Sequence, residues 1–462
     1  MADTSTDRTS SVAMETGVPS SAGVLEVLQG TFGFSSLRPG QAEVIEAIIA
    51  GRSALAIFPT GSGKSLCYQL PALLLDGLTV VICPLSALMK DQLDFLAARG
   101  VPAARIDSTI SREEQAQVQR DLQDGRLRLL YVSPERLGNE RFLHHLRQLN
   151  ISLLVVDEAH CISEWGHNFR PDYLRIAPLV EQLGIPAVLA LTATATPEVA
   201  EDVAEAFHIE PADVVQTGFY RRNLSLHVSP VESNARKALL VERLREHSPG
   251  TAVVYVTLQR TSEQVAEYLR AARFSARAYH AGLAAEERAE IQDEFMKSDD
   301  MIVVATIAFG MGIDKSNLRA VFHYNLPKSL ESYMQEIGRA GRDGEPARCE
   351  VLACGDDVIP LENFSYGDTP TAEAIANFTG EILSQGPELE LPLYSLSRKH
   401  DIRDLVLKTL LTYLELEGVL QPAGPIYTEY KFQAHRTSKE ILDRFDPQRA
   451  RFVAAVLKRA KK

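Results

Sequence analysis

The 462-residue sequence has one tryptophan, five cysteines and no long uninterrupted apolar run, and it lacks any excess of positive charge, its formal net charge being −13. Each shortage excludes something. Cys67, Cys83, Cys161, Cys349 and Cys354 stand singly. An odd set without C-x-x-C pairs excludes a disulfide framework and a cysteine zinc site, so no zinc is expected. No segment approaches the roughly 18 apolar residues of a membrane span. Residues 1–23 are rich in Ser, Thr, Ala and Gly and lack the apolar stretch after a basic start that marks a signal peptide. They read as a disordered leader, and the chain reads as a soluble cytoplasmic protein with no membrane partner.

The negative total hides an uneven distribution. Residues 431–462 carry Lys431, Arg436, Lys439, Arg444, Arg449, Arg451, Lys458, Arg459, Lys461 and Lys462 against Glu440, Asp443 and Asp446. Such an end can hold a phosphate backbone or form a solvated helix face.

Apolar runs at 54–58, 80–83, 127–132, 153–156 and 188–192, then at 252–256, 276–279, 301–305, 320–323 and 349–353, end in polar or turn residues, with helix-period stretches between them. Buried parallel strands with crossover helices have this pattern. The expectation is an α/β chain with two tandem parallel-sheet lobes, 24–210 and 211–358. Beyond them Ile402, Leu405, Val406, Leu410, Tyr413 and Leu414 keep helical spacing up to Gly418, and 426–432 follow a Pro/Gly turn. Helices before a small hairpin predict a winged-helix-like domain over 359–435, or else a helical cap on the second lobe, with 436–462 as a basic tail.

Ligands of open α/β sheets sit at the carboxyl ends of strands, and there the unusual residues fall. The run 54–58 leads into Pro59, Thr60, Gly61, Ser62, Gly63, Lys64 and Ser65, and then a helix. A glycine-rich turn at a helix start offers backbone N–H groups to phosphate. Lys64 would reach the β- and γ-phosphates of a nucleotide, and Ser65 would ligate Mg²⁺. Phe58 stands where the general pattern has its first glycine, so the loop is a shorter variant. After 153–156 come Asp157, Glu158, Ala159 and His160. Asp157 suits a hard cation, and Glu158 suits a base for an attacking water. Residues 338–344 include Arg339 and Arg342, expected on a helix opening and facing the cleft between lobes, where one would neutralise phosphoryl charge. Trp165, His167, Phe169, Arg170 and Tyr173 crowd one short loop past the carboxylates. They read as a platform for splayed bases, worth about 1–3 kcal/mol per stacked ring, or as an aromatic mini-core.

In order, these motifs resemble those of superfamily-two helicases, and the RecQ family in particular, over about residues 24–352. Phe34, Arg38 and Gln41 look like its adenine-reading segment, Gln41 bonding the base edge with Phe34 and Arg38 packed on it. Residues 83–88 and 132–136 are similar to its strand-contacting motifs, 191–194 to the motif linking hydrolysis to lobe movement, and 163–173 to its aromatic-rich loop. Residues 279–283, with His280, and 305–315 match second-lobe motifs, and Gln335 completes the motif of Arg339 and Arg342. The resemblance implies two RecA-like lobes, ATP and Mg²⁺ as cofactors, and Arg342 as the finger with Arg339 in support. It places His160 and His280 with the aromatic loop in nucleic-acid binding and coupling. It also implies 3′-to-5′ travel on single-stranded DNA, with duplex unwinding in repair and recombination, and single-strand-binding and repair proteins as partners. Ser316 stands where the family usually has Pro, and the four-cysteine zinc subdomain has no counterpart in the sequence, which is expected of a short family form or of a fragment of something longer. Three rivals are an RNA-directed motor of the same superfamily, an annealing platform without unwinding, and an ATPase acting on proteins.

Overall fold

Short, largely buried strands are what the apolar runs form. The computed structural model describes residues 21–107, 109–163, 170–218, 221–247, 250–309, 315–366, 369–386, 388–421 and 437–459. The first lobe holds β1 (Ala54–Ile57), β2 (Leu78–Ile82), β3 (Ala103–Ile106), β4 (Leu129–Val132), β5 (Ile151–Asp157), β6 (Val188–Thr192) and β7 (Val214–Gln216). They form one all-parallel sheet in the order β3-β4-β2-β5-β6-β1-β7. The second lobe holds β8 (Leu224–Pro230), β9 (Thr251–Tyr255), β10 (Ala276–Tyr279), β11 (Ile302–Ala305), β12 (Leu318–His323) and β13 (Ala347–Ala353). Its parallel sheet runs β10-β11-β9-β12-β13-β8. Helices cover both faces of each sheet and split each core in two: Val81, Val155 and Leu189 serve one face of the first sheet, and Val80, Val156 and Ala190 the other. Each fully buried Val, Leu or Ile contributes about 1.5–3 kcal/mol.

The α/β expectation of two parallel-sheet, RecA-like lobes holds, but its boundary at 210 does not. β7 pairs with β1, Leu55 opposite Val214, so the first lobe keeps its edge strand and the crossing to the second follows Gln216. The sequence patterns also miss β3 and β8. After β13 come helix Val358–Tyr366 and then helices Ala372–Ser384, Leu393–His400 and Asp404–Leu416, the last three packed around Phe378, Ile382, Leu396, Ile402 and Leu407. One compact unit ends at Pro422 and a second covers 423–462, a division inside the expected 359–435 domain. The hairpin expected at 426–432 lies outside the described residues. The second unit contains helices Ser438–Leu442 and Pro447–Arg459; Lys439, Arg449 and Arg451 on them and Arg444 in the turn between them are exposed. Among the described residues no helix is long and apolar enough to cross a membrane, and all five cysteines are buried free thiols.

Candidate active site

Strand order decides which loops meet. β5, β6 and β1 are neighbours, so the loops after Ile57, Asp157 and Thr192 open side by side at the carboxyl edge of the first sheet. Gly61 and Gly63 turn with φ of +82° and +85°, a conformation cheap only for glycine. The Lys64 ammonium donates to the Phe58 carbonyl at 3.0 Å. Gln41, 2% exposed, braces the loop from behind. Its Nε2 donates to the Ser62 and Gly63 carbonyls at 3.2 and 3.0 Å, and its Oε1 accepts from the Arg38 N–H at 2.8 Å. Arg38 Nη1 donates to the Gly61 carbonyl at 2.6 Å. The Gln41 amide N–H groups are thus committed to the loop 60–65, and its Oε1 keeps a second lone pair that could accept a further bond. Phe34 is 44% exposed, as a stacking ring needs to be.

Asp157 ends β5, and its Oδ1 accepts from the Glu158 N–H at 3.0 Å. Glu158 has φ 54°, ψ 46°, left-handed backbone that costs a non-glycine residue on the order of 1–3 kcal/mol and gathers at functional sites. Burial raises the Asp157 pKa, and neighbouring Glu158 raises it further against the pull of Lys64. Burial also raises Glu158, opposed by Lys64, Arg339 and Arg170. Lys64 is lowered by burial and by Arg342, against Glu158 and Asp157. Lysine, two carboxyls and arginines of both lobes therefore lie within electrostatic reach of one another, in a pattern suited to holding phosphate and moving a proton. His160 is buried, with Nδ1 2.9 Å from Thr192 Oγ1 and 3.4 Å from Glu158 Oε2. Thr192 Oγ1 also accepts from the Thr194 N–H. His160 therefore links the acidic motif to the loop after β6. Burial lowers its pKa to about 4, so the ring is neutral at pH 7.

The opposite wall is the second lobe. A side chain on Gly61 would stand 3.6 Å from Arg342 Cγ and 3.8 Å from its Nε, which seats Arg342 against the glycine-rich loop of the first lobe. A cavity of about 150 Å³ lies between Thr60, Ala193 and Thr194 of the first lobe and Arg221, Leu226, Met334 and Gly338 of the second. The arginines are not on a helix opening, as expected from the sequence. Helix Leu330–Ile337, which carries Gln335, ends at Gly338, and Arg339 and Arg342 occupy the turns beyond it. Gly341 (φ +54°) makes those turns possible, since a side chain there would meet Asn223 Nδ2 at 2.5 Å and the Glu345 carbonyl at 2.7 Å. Arg221, which the sequence did not single out, holds the turns by donating to the Gly338 carbonyl at 3.1 Å and to the Gly341 carbonyl. Asn223 joins it on the Gly341 carbonyl at 2.8 Å. No pattern around Arg221 marks it, because it works through backbone carbonyls 117 and 120 residues away.

The expected base platform is only partly within view, because Trp165, His167 and Phe169 lie outside the described residues. Tyr173 is a correction. It is 0% exposed in the first-lobe core and donates its hydroxyl to the Asp157 carbonyl at 2.9 Å, so it supports the acidic motif and cannot stack on a base. Arg170 is half-buried, and its charge acts on Glu158. His280 is buried after β10, with Nε2 3.2 Å from Glu263.

Residues 38–203 match the DEAD/DEAH box helicase family and 235–344 the helicase conserved C-terminal domain. The chain is 43% identical to the ATP-dependent DNA helicase RecQ of Bacillus subtilis (strain 168) over 330 residues, 71% of this chain and 56% of that protein. It is 41% identical to the same organism's probable ATP-dependent DNA helicase RecS over 355 residues, 76% of this chain and 71% of RecS. With the ATP-dependent DNA helicase Q-like 5 of Arabidopsis thaliana it shares 38% identity over 451 residues, 94% of this chain and 48% of that one. It thus spans about half the length of several curated relatives. Two solved structures share the fold. MrfA bound to DNA has a TM-score of 0.60 at 20% identity, over 87% of this chain and 58% of MrfA. S. cerevisiae Dbp5 bound to RNA and ADP BeF3 has 0.57 at 16%, over 74% and 92%.

Proposed function

The chain belongs to the RecQ family of ATP-dependent DNA helicases, and from that premise we propose that it hydrolyses ATP between its two lobes to travel 3′-to-5′ along single-stranded DNA and part duplexes in repair and recombination. The observation that carries this reading is the seat of Arg342, brought from the second lobe to Gly61 of the phosphate loop. The loop 60–65 cradles the phosphates, with Lys64 on their charge and Phe34, Arg38 and Gln41 at the base end. Mg²⁺ fits the donor set: the Ser65 hydroxyl and the Asp157 carboxylate are hard oxygens beside Lys64, and a few such groups plus phosphate suffice for this ion. When bound, it would neutralise charge on the phosphate oxygens. Glu158, raised by burial, orients water and takes its proton. Arg342, with Arg339 and Gln335 beside it, meets the charge that develops as the phosphoryl group leaves. Since those groups sit on different lobes, the site is complete only when the lobes are together, and each hydrolysis loosens them. The thread Glu158–His160–Thr192 joins the carboxylates to the loop after β6, and Trp165, His167, Phe169, Arg170 and His280 serve the strand. The 359–435 segment is read as a winged-helix-like module at the duplex, the exposed lysine and arginines of 437–459 as phosphate contacts, and single-strand-binding and repair proteins as partners.

Unwinding of forked and 3′-tailed duplexes by the full chain, beside Lys64→Ala, tests this. The wild type separates the 3′-tailed substrate in preference to a 5′-tailed one and the variant separates neither. Equal activity of the two proteins, or stimulation by RNA alone, refutes the reading.

A further inference from the structure

Helix Asp404–Leu416 belongs to the segment that follows the second lobe, yet it packs against the short helix Pro171–Leu174 of the first. The contact is built around Arg175. Its Nε donates to Glu415 Oε2 and Oε1 at 3.1 and 3.3 Å and its Nη2 to Oε2 at 2.7 Å, the two-pronged geometry that makes arginine–carboxylate pairs strong. Nη2 also reaches Thr412 Oγ1 at 3.4 Å and Nη1 reaches Asp172 at 2.9 Å. The Arg175 and Glu415 side chains are only 22% and 23% exposed, so water screens the pair less than an open surface pair. On the same short helix, Tyr173 donates to the Asp157 carbonyl. Just before it, Arg170 bonds its N–H to the Cys161 carbonyl at 3.1 Å.

We propose that Arg175 and Glu415 are positioning residues for ATP hydrolysis: the helical segment after the second lobe is a strut that returns to the first lobe and, through Pro171–Leu174, fixes the carboxyl end of β5. The lobes are already joined by the chain between β7 and β8, and the strut is a second tie. Movement of the lobes must load it, and the load falls on the helix that supports Asp157. Neither residue touches the reacting atoms. The proposal rests on the function above, since it concerns the same hydrolysis.

The test uses full-length Glu415→Ala, Glu415→Gln, Arg175→Gln and the Arg175→Gln/Glu415→Ala pair. ATP turnover is measured with a saturating single-stranded oligonucleotide, together with thermal melting and hydrogen exchange of the amides in 170–175. Glu415→Ala is expected to lower kcat about two- to tenfold, the usual reach of a coupling contact, with the KM for ATP unchanged because Lys64 and Gln41 are untouched. Exchange at 170–175 rises, and Glu415→Gln, which keeps an acceptor oxygen, loses less. The double variant is no slower than Arg175→Gln alone, because the residues act as one unit. A wild-type kcat in Glu415→Ala overturns the strut, as does a loss of kcat and KM together that follows a fall in melting temperature. If the wild type itself shows no DNA-stimulated turnover, the proposed function falls, while the exchange measurement still decides whether Glu415 holds 170–175.

Discussion

Replacing Tyr173 by phenylalanine removes one oxygen and leaves the ring. The ring is fully buried, so packing is kept and no cavity opens. What goes is the hydrogen bond of 2.9 Å to the Asp157 carbonyl, and a buried carbonyl left without its donor costs about 1–3 kcal/mol. A lobe of this size melts roughly 2–4 °C lower per kcal/mol. Differential scanning calorimetry of Tyr173→Phe should therefore show a first-lobe transition lowered by about 2–12 °C. A tyrosine standing at the surface to stack on bases would give a different result, since phenylalanine stacks as well and surface changes fall within about 0.5 kcal/mol. An unchanged transition would refute the buried placement and return Tyr173 to the base platform.

Gln41→Ala removes both side-chain bonds to the Ser62 and Gly63 carbonyls, and the loosened loop should raise the KM for ATP about tenfold, more than it lowers kcat, as steady-state kinetics would show. Lys64→Ala should reduce ATP turnover by on the order of 10²-fold or more while binding of a labelled single strand, followed by anisotropy, stays intact. The thiols give a pH test. Burial raises Cys67 and Cys349 to about 12 and raises Cys83 and Cys161 as well. At pH 8 roughly one part in 10⁴ of a thiol with a pKa of 12 is the reactive thiolate, and this fraction grows only as pH climbs. A disulfide reagent should therefore label none of the four in native protein and all of them after unfolding, and rapid native labelling of any one would contradict their burial.

Ten strands were readable because they are short, largely apolar runs bounded by turns, as Leu78–Ile82 and Thr251–Tyr255 show with every residue buried. Those that escaped lack the signal. Ala103–Ile106 is mostly half-buried, Val214–Gln216 has three residues, and Leu224–Pro230 is an edge whose Leu226 and Val228 are 54% and 68% exposed. That residues 59–65 and 157–160 fall at the ends of strands was legible from glycine spacing and from carboxylates closing an apolar run. Tyr173 was misplaced because nothing in its local sequence tells which way helix Pro171–Leu174 faces. The arginine turns were read as a helix start because Gly338 caps a helix end with the same composition. Contacts such as Arg175 to Glu415, 240 residues apart, leave no local trace at all.

One site shared by two lobes underlies the proposed hydrolysis, and single-turnover ATP hydrolysis by Arg342→Ala, with nucleotide binding followed separately, tests it most directly. The variant should bind ATP nearly as the wild type does and hydrolyse it about 10³-fold more slowly, the contribution expected of an arginine at the transferring phosphoryl group. Hydrolysis at the wild-type rate would mean that the second lobe supplies nothing to the chemistry.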